Sequence, residues 1–429
     1  MLLGAALTAL CSAQQQPDPM QLLVQLRHKV ANSISRIPRY LCTETVERQT
    51  FQLPLRALSV VSCPKIMSAV QDSKKKAQLL YTDRLRLDVA VIDKQETYSW
   101  VGEGRFGDQS LGDLVNAGLT STGSFGSFLE AIFVGDGATF SYLGESKLDN
   151  RRVLQYGFQI PLPHSTYRIS NAWLKRFTAY SGSFTADAET LDLLKLELHA
   201  DPIPFELGFC EVSTEMDYTK LRMNNLDFLL PAEATTLLIG SDGHQSVNRT
   251  VFSSCHQFLG ESKLMFEDQP TGPTISRTTP QAVQIPPGET VLIGLAEKID
   301  PATAGAGDPV KGRLTQPVEI PALRLTLPKG TVLHGRICEL VVRYGDAATL
   351  NFGLKWETME FGGINQTVHL SLKAATRGTA KTDDIEVRQP SLILGAPIDE
   401  SIGYLSFPWV KKNYQIPAGF ESRWVSLNR

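Results

Sequence analysis

Past its first dozen residues the chain has no apolar run approaching the roughly 18 residues of a membrane helix, so no internal span of that kind is expected. It also lacks a basic excess. With 42 Lys+Arg against 45 Asp+Glu the net charge is −3, which argues against a protein that holds nucleic acid mainly by its phosphates. Cysteine is scarce, six in all, and no two stand at C-x-x-C spacing; the seven histidines show neither H-x-H nor H-E-x-x-H. Zinc and thioredoxin-like readings therefore lack their signatures, and no metal ligand is assigned. No G-K-[ST] occurs, so there is no P-loop.

Two short runs imitate catalytic motifs. Gly144-Glu145-Ser146 and Gly260-Glu261-Ser262 begin a nucleophile elbow, but Leu148 and Leu264 stand where its second glycine is required. Gly102-Glu103-Gly104-Arg105-Phe106-Gly107 satisfies G-x-G-x-x-G, yet only a short Leu111–Val115 segment follows where a dinucleotide site needs a long helix and a second, acid-bearing strand. It reads as a loop. No catalytic residue and no cofactor are assigned, and the expectation is a protein that is not an enzyme.

With 42% hydrophobic and 20% charged residues, the chain can bury sizeable cores, and 429 residues suggest two or three domains. Met1–Leu10 (MLLGAALTAL) followed by Cys11-Ser12-Ala13 reads as an export signal over residues 1–13, with no Lys or Arg ahead of it, as for a start internal to the gene. An exported protein, periplasmic or outer-membrane-associated, is expected. Cys42, Cys63, Cys210 and Cys255 then suit two disulfides. Each neighbouring pair brackets strand-like sequence, which favours Cys42–Cys63 and Cys210–Cys255, although sequence alone does not fix connectivity. Cys338 lies in the apolar run Leu333–Val342 and is expected to be a buried free thiol.

Asp18-Pro19 is a helix start, and Leu23, Leu26, Val30, Ile34 and Ile37 make one apolar stripe before Pro38. The period then becomes two. Leu85, Leu87, Val89 and Val91 alternate along a strand, and Thr97–Val101 continues in that mode. Gly/Ser-rich residues 118–127 lead into a short helix, Phe128–Val134. Strands follow at 139–143, 152–160, 178–185, 192–199, 211–221, 234–239 and 247–252, with an Asp242-Gly243 hairpin turn. Many strands with little helix between them predict an antiparallel sheet. Polar residues 269–281 read as a linker between a domain at 14–268 and one at 282–429. Beyond it, Pro286-Pro287-Gly288, Pro328-Lys329-Gly330 and Pro417-Ala418-Gly419 each turn the chain into a strand, at 290–296, 331–342 and 421–427; with 350–361 and 367–372 these make an all-β, barrel-like unit.

Lys74-Lys75-Lys76 and Asp383-Asp384 read as exposed charge, and Asn248-Arg249-Thr250 and Asn365-Gln366-Thr367 as sequons that matter only in a glycosylating host. What remains is aromatic. Tyr98, Trp100, Phe125, Phe128, Phe133, Phe140 and Tyr142 cluster between the early strands and the short helix. Their plain reading is a packed core. The sharper one makes them the ligand-binding residues of an apolar cavity under a helical lid, able to take acyl chains.

This order of elements, with Tyr142-Leu143-Gly144-Glu145, Asp149-Asn150-Arg151-Arg152 and Gln159-Ile160-Pro161, resembles the periplasmic lipoprotein-carrier family and the related envelope-stress sensor domains that bind sigma-factor regulators. The resemblance spans residues 18–268. It implies a half-open antiparallel β-barrel closed by a helical lid, around an apolar cavity. The second half, through Ile285–Thr290, Val310–Val318 and Leu327–Arg336, resembles the barrel domain of conjugation and type IV secretion core proteins. As a whole the chain is most similar to exported bacterial proteins of unassigned activity. The expectation is a mainly β (α+β) envelope protein that binds an apolar or lipidated ligand, an acyl chain or lipoprotein, through its first domain. Its second domain would be an interaction barrel for an envelope protein partner. A purely structural role is the alternative, and an enzyme with a loop-assembled site the third reading.

Overall fold

The computed structural model describes residues 18–54, 62–72, 77–92, 95–103, 106, 111–115, 118–123, 125–223, 226–257, 284–375, 385–388, 399–408 and 414–428. The export signal, the 269–281 linker, Lys74–Lys76, Asp383-Asp384 and half of the G-x-G-x-x-G run (Gly104, Arg105 and Gly107) lie outside these residues.

Helix α1 (Pro19–Arg36) starts as its sequence dictates. The Asp18 carboxylate accepts from the Met20 N–H at 3.0 Å with Pro19 in the first turn, and Leu23, Leu26, Val30 and Ile34 form the buried stripe. The chain continues through β1 (Tyr40–Gln52), α2 (Cys63–Gln71), β2 (Gln78–Ile92) and β3 (Gln95–Trp100). A helical excursion follows: α3 (Leu111–Leu114), then α4 (Ser127–Leu129), which widens into a π-turn at Glu130–Val134. Next come β4 (Thr139–Leu148), β5 (Arg151–Ile160), the small hairpin β6 (Arg168–Ser170) and β7 (Lys175–Phe177), then β8 (Tyr180–Asp187), β9 (Leu193–Ala200), β10 (Phe209–Met223), β11 (Leu226–Gly240) and β12 (His244–Gln257).

Strand pairing gives one antiparallel sheet in the order β3-β2-β1-β12-β11-β10-β9-β8-β5-β4. It curves around α1 and the 127–134 segment and does not close, so the expected half-open barrel with a helical lid is the observed architecture. Turn chemistry sets the register. Asp149 and Asn150 both take positive φ, as the tight β4–β5 hairpin requires, and Gly243 does the same between β11 and β12.

The second unit comprises β13 (Thr290–Leu295), β14 (Pro309–Leu314), β15 (Val318–Ile320), β16 (Leu325–Leu327), β17 (Val332–Arg343), β18 (Thr349–Phe361), β19 (Ile364–Thr367), β20 (Leu370–Ala375), β21 (Glu386–Arg388), β22 (Ile402–Pro408) and β23 (Glu421–Ser426). Its strands run β20-β23-β13-β14-β17-β18-β22-β21, wrapped so that Gly403 of β22 meets Leu372 of β20 across a barrel-like core. The strand expected at 367–372 is instead broken at Val368-His369, where the chain leaves β18 for β23. Trp356 and Trp424 fill the centre; a Cβ on Gly312 or Gly335 would run into the Trp356 ring, which is why glycine stands there.

The two units meet at a seam, where Ala306 of the second packs into the core over β1–β3 of the first. Residues Tyr81–Asp83 of β2 pair with Val341–Arg343 of β17, next to the stretch of β2 that pairs with β3. Backbone bonds of 2.8 Å link Arg86 and Arg84 to Ala306, the Arg86 Nη1 donates to the two Asp308 carboxylate oxygens at 2.5 and 2.7 Å, and buried Arg336 donates to the carbonyls of Val101 and Gly307. The two units are therefore hydrogen-bonded side by side.

The cysteine pairing differs from the sequential one. Cys42 is bridged to Cys255 and Cys63 to Cys210. The reason is strand length: β1 carries the chain about 33 Å from Cys42 to its far end, at about 3.3 Å per residue, while β12 returns antiparallel and sets Cys255 beside Cys42. Cys63, at the start of α2, instead ties that helix to β10. Cys338 is free and partly buried, and burial pushes its thiol up to about 12.

Candidate functional site

The seven aromatic residues proposed for one cavity divide between two clusters. Tyr98, Trp100 and Phe125 belong to the core over β1–β3; Phe128, Phe133, Phe140 and Tyr142 belong to the core under α1, with Tyr156 and Phe184. Phe125 meets Tyr40 and Phe252 edge-to-face at 5.5 and 4.6 Å, Phe128 meets Tyr167 at 5.5 Å, and Phe133 meets Phe184 at 4.9 Å. These are the contacts of packed rings.

Three polar side chains, Asn248 buried and Glu96 and Arg27 half-buried, hold the segment over them in place. Glu96 of β3 accepts from the backbone N–H groups of Gly123 (2.7 Å) and Phe125 (3.0 Å) and from the Tyr98 hydroxyl (2.7 Å). Asn248 of β12 donates to the Leu119 carbonyl at 2.7 Å. Arg27 of α1 donates to the Phe133 and Gly135 carbonyls, both at 3.2 Å, capping the 127–134 helical turn, and lies 5.0 Å over the Phe140 ring. Asn248 is the sequon asparagine; its burial beneath Leu119 closes it to a glycan.

The inward face of β1 carries two charges the aromatic reading did not use. Tyr40, Cys42, Glu44, Val46, Arg48 and Thr50 all point inward, so Glu44 and Arg48 are buried by alternation. Arg48 is answered across the ladder by Asp83, bidentately at 2.7 and 2.5 Å. Glu44 borders a void of about 10 Å³ under Leu111 and residues 119–121; burial first, then the Glu96 charge, pushes its carboxyl up to about 8. It is mostly neutral at pH 7.

Open space lies elsewhere. A groove of about 370 Å³ runs between the C-terminal half of α1, the β8–β9 turn and the β10–β11 hairpin. Val30, Leu193, Phe228 and Leu229 give it an apolar floor, and Leu226, 63% exposed, stands at its lip. Its rim is charged. Lys29 and Lys220 converge on one carboxylate, Asp192, each at 2.6 Å; burial alone would raise Asp192, but the hydrogen bonds from Lys220 and Lys29 outweigh it and hold the acid below its ordinary range. Arg36, in the last turn of α1, is exposed at the same rim. Helix periodicity does place Lys29 and Arg36 beside the stripe, but only the long-range return of β10 and β11 adds Lys220 and Phe228, and no local pattern announces that.

Two disulfides mark a chain that matures in an oxidising compartment. The chain matches no protein-family model and no curated protein. Four solved chains match it in structure. A DUF1329 family protein from Desulfovibrio piger is 10% identical with a TM-score of 0.28, the match covering 57% of this chain and 95% of that one. A LolA superfamily protein from Nitrosomonas europaea is 11% identical with a TM-score of 0.26, covering 57% and 98%. MucB, solved in complex with MucA(peri), is 11% identical with a TM-score of 0.18, covering 91% and 92%. At TM-scores this low these likenesses bear on neither activity nor ligand, and the fold rests on the strand pairing above.

Proposed function

We propose that this chain is a non-enzymatic envelope protein whose first unit binds an amphiphile, an acyl chain with an anionic head, in the groove beside α1. The observation that carries the reading is the groove's make-up: an apolar floor inside about 370 Å³, and a rim where two ammonium groups share one carboxylate, with Arg36 and Asp227 exposed beside them. That volume is within the roughly 300–1,000 Å³ of small-molecule sites. The apolar floor favours burial of methylenes at about 0.8 kcal/mol each, and the cations favour a carboxylate or phosphate at the mouth. The second unit, with its own packed core, is the interaction barrel, and periplasmic or outer-membrane association follows from export together with ligand class.

The test is titration of the full chain with a fluorescent fatty-acyl probe. Wild type should bind; Val30→Trp, which fills the floor, and Arg36→Glu, which reverses the rim, should each weaken binding by roughly tenfold or more, about 1.4 kcal/mol. A wild type that binds no probe supports the structural role instead, which the packed aromatic rings already favour for the region over β1–β3.

A further inference from the structure

The hairpin formed by β6 and β7 leaves the main sheet between β5 and β8 and presents an unusual surface. Among the described residues, the two most exposed large apolar side chains are Phe205 (87%) and Trp173 (71%), and Phe177 and Leu162 are also exposed. All four lie on this hairpin or on the turns beside it. The hairpin's inner side is committed to the fold: Ile169 packs with Leu207 and Val212, and Leu174 joins them. Its outer side is left to solvent. Arg168 pairs with Phe177 and Ser170 with Lys175, so these four side chains share the face opposite Ile169.

The tip is rigid. The Asn171 carboxamide oxygen accepts from the N–H groups of Trp173 (2.9 Å) and Leu174 (2.8 Å), the Asn171 N–H donates to the Leu174 carbonyl (3.0 Å), and the carboxamide nitrogen donates to the Leu207 carbonyl (3.2 Å). One asparagine therefore shapes the turn that holds Trp173 outward and fastens it to the 205–207 turn that carries Phe205.

Charge on this segment is one-sided. The chain as a whole is slightly acidic, yet no Asp or Glu occurs between Arg151 and Ala186, while Arg168, Lys175 and Arg176 are all exposed on the hairpin. Acids nearby come from other segments: Glu206 next to Phe205, Asp201, whose N–H donates to the Ala179 carbonyl, and Asp136, 3.9 Å from His164. Aromatic rings with one wet edge and cations on long apolar stems suit the boundary between anionic headgroups and acyl chains. A protein-facing patch of this size would not need its carboxylates removed from 36 consecutive residues.

We propose that the β6–β7 hairpin, with Phe205, docks the protein on an anionic lipid surface, Trp173 and Phe205 entering the headgroup boundary and Arg168 and Lys175, on the outer face, meeting lipid phosphates. The inference stands apart from the α1 groove: it concerns where the protein sits, and no residue is shared. It places ligand exchange at a membrane.

The experiment is flotation of the full chain with phosphatidylcholine vesicles, with and without phosphatidylglycerol. Wild type should float with the anionic vesicles, and less so as salt rises. Trp173→Ala/Phe205→Ala and Arg168→Glu/Lys175→Glu should each weaken this by roughly tenfold or more, given about 1 kcal/mol per basic residue at such a surface. Brominated lipid should quench the wild-type fluorescence, and Trp173→Phe should remove that quenching. Circular dichroism and fatty-acyl probe binding, unchanged in the variants, show that folding is intact. Failure of wild type to float with anionic vesicles overturns the proposal, as does binding indifferent to both double variants. Concentration-dependent self-association that disappears in Trp173→Ala/Phe205→Ala would also overturn it, by showing that a second copy covers the patch.

Discussion

The two units solve the same problem, covering a curved antiparallel sheet, in opposite ways. The second rolls its sheet so that β20 meets β22 and fills the interior with Trp356, Trp424, Phe352 and Phe407, with no disulfide. The first leaves its sheet open and lays α1 and the 127–134 segment into it, joined by Arg27, with residues 119–125 held by Glu96 and Asn248; its two long-range bridges tie β1 to β12 and α2 to β10. A sheet closed on itself is stabilised by its own packing. One closed by a helix leaves a gap wherever the helix and sheet diverge, and the 370 Å³ groove lies at such a place.

Reduction should break this comparison most forcefully. The bridges close loops of 213 and 147 residues, each worth about 5 kcal/mol on the chain-entropy model, with less than additive effect because they are nested. Dithiothreitol should lower the unfolding midpoint of the first unit and leave that of the second unchanged; a single transition that shifts as a whole would show that the seam fuses them. Next come the cores. Phe352→Ala and Phe128→Ala should each cost about 3–5 kcal/mol by denaturant unfolding, since both rings are packed, whereas Leu226→Ala at the groove lip should stay within about 0.5 kcal/mol.

A pH effect across neutrality belongs to Glu44 of the first unit. Glu44 in the folded state titrates at about 8, above its ordinary 4.5, so protonation favours folding. Its contribution is fully present below about 4.5, declines as pH rises through that window and is lost above about 8. The effect is on the order of a few kcal/mol. Glu44→Gln should flatten the dependence of stability on pH between those limits, measured by thermal melts. The smallest effect is at the seam: Asp308→Ala should cost roughly 1 kcal/mol and widen the gap between the two unfolding transitions.

Much of this was legible in the residues. The cap at Asp18, the stripe on α1, the alternation through β2 and the glycines at 288, 330 and 419, all at positive φ, are local signals and fall where the sequence places them. What escaped was set at long range. The bridges follow from β12 returning beside β1, and the groove from β10 and β11 reaching α1. The inward charges were the missed clue: Glu44 and Arg48 occupy apolar-phase positions of β1, a pattern that marks either a buried pair or a shifted acid, and here gives one of each.

The central claim is that ligand space lies beside α1 and away from the 98–142 aromatic cluster. Photo-crosslinking with a diazirine fatty acid, followed by peptide mapping, tests it directly. Adducts on residues 29–36, 191–193 and 226–229, competed by unlabelled fatty acid, are the predicted result. Competed adducts confined to Tyr98, Trp100, Phe125 or Phe128, or no competed adduct anywhere, would contradict it.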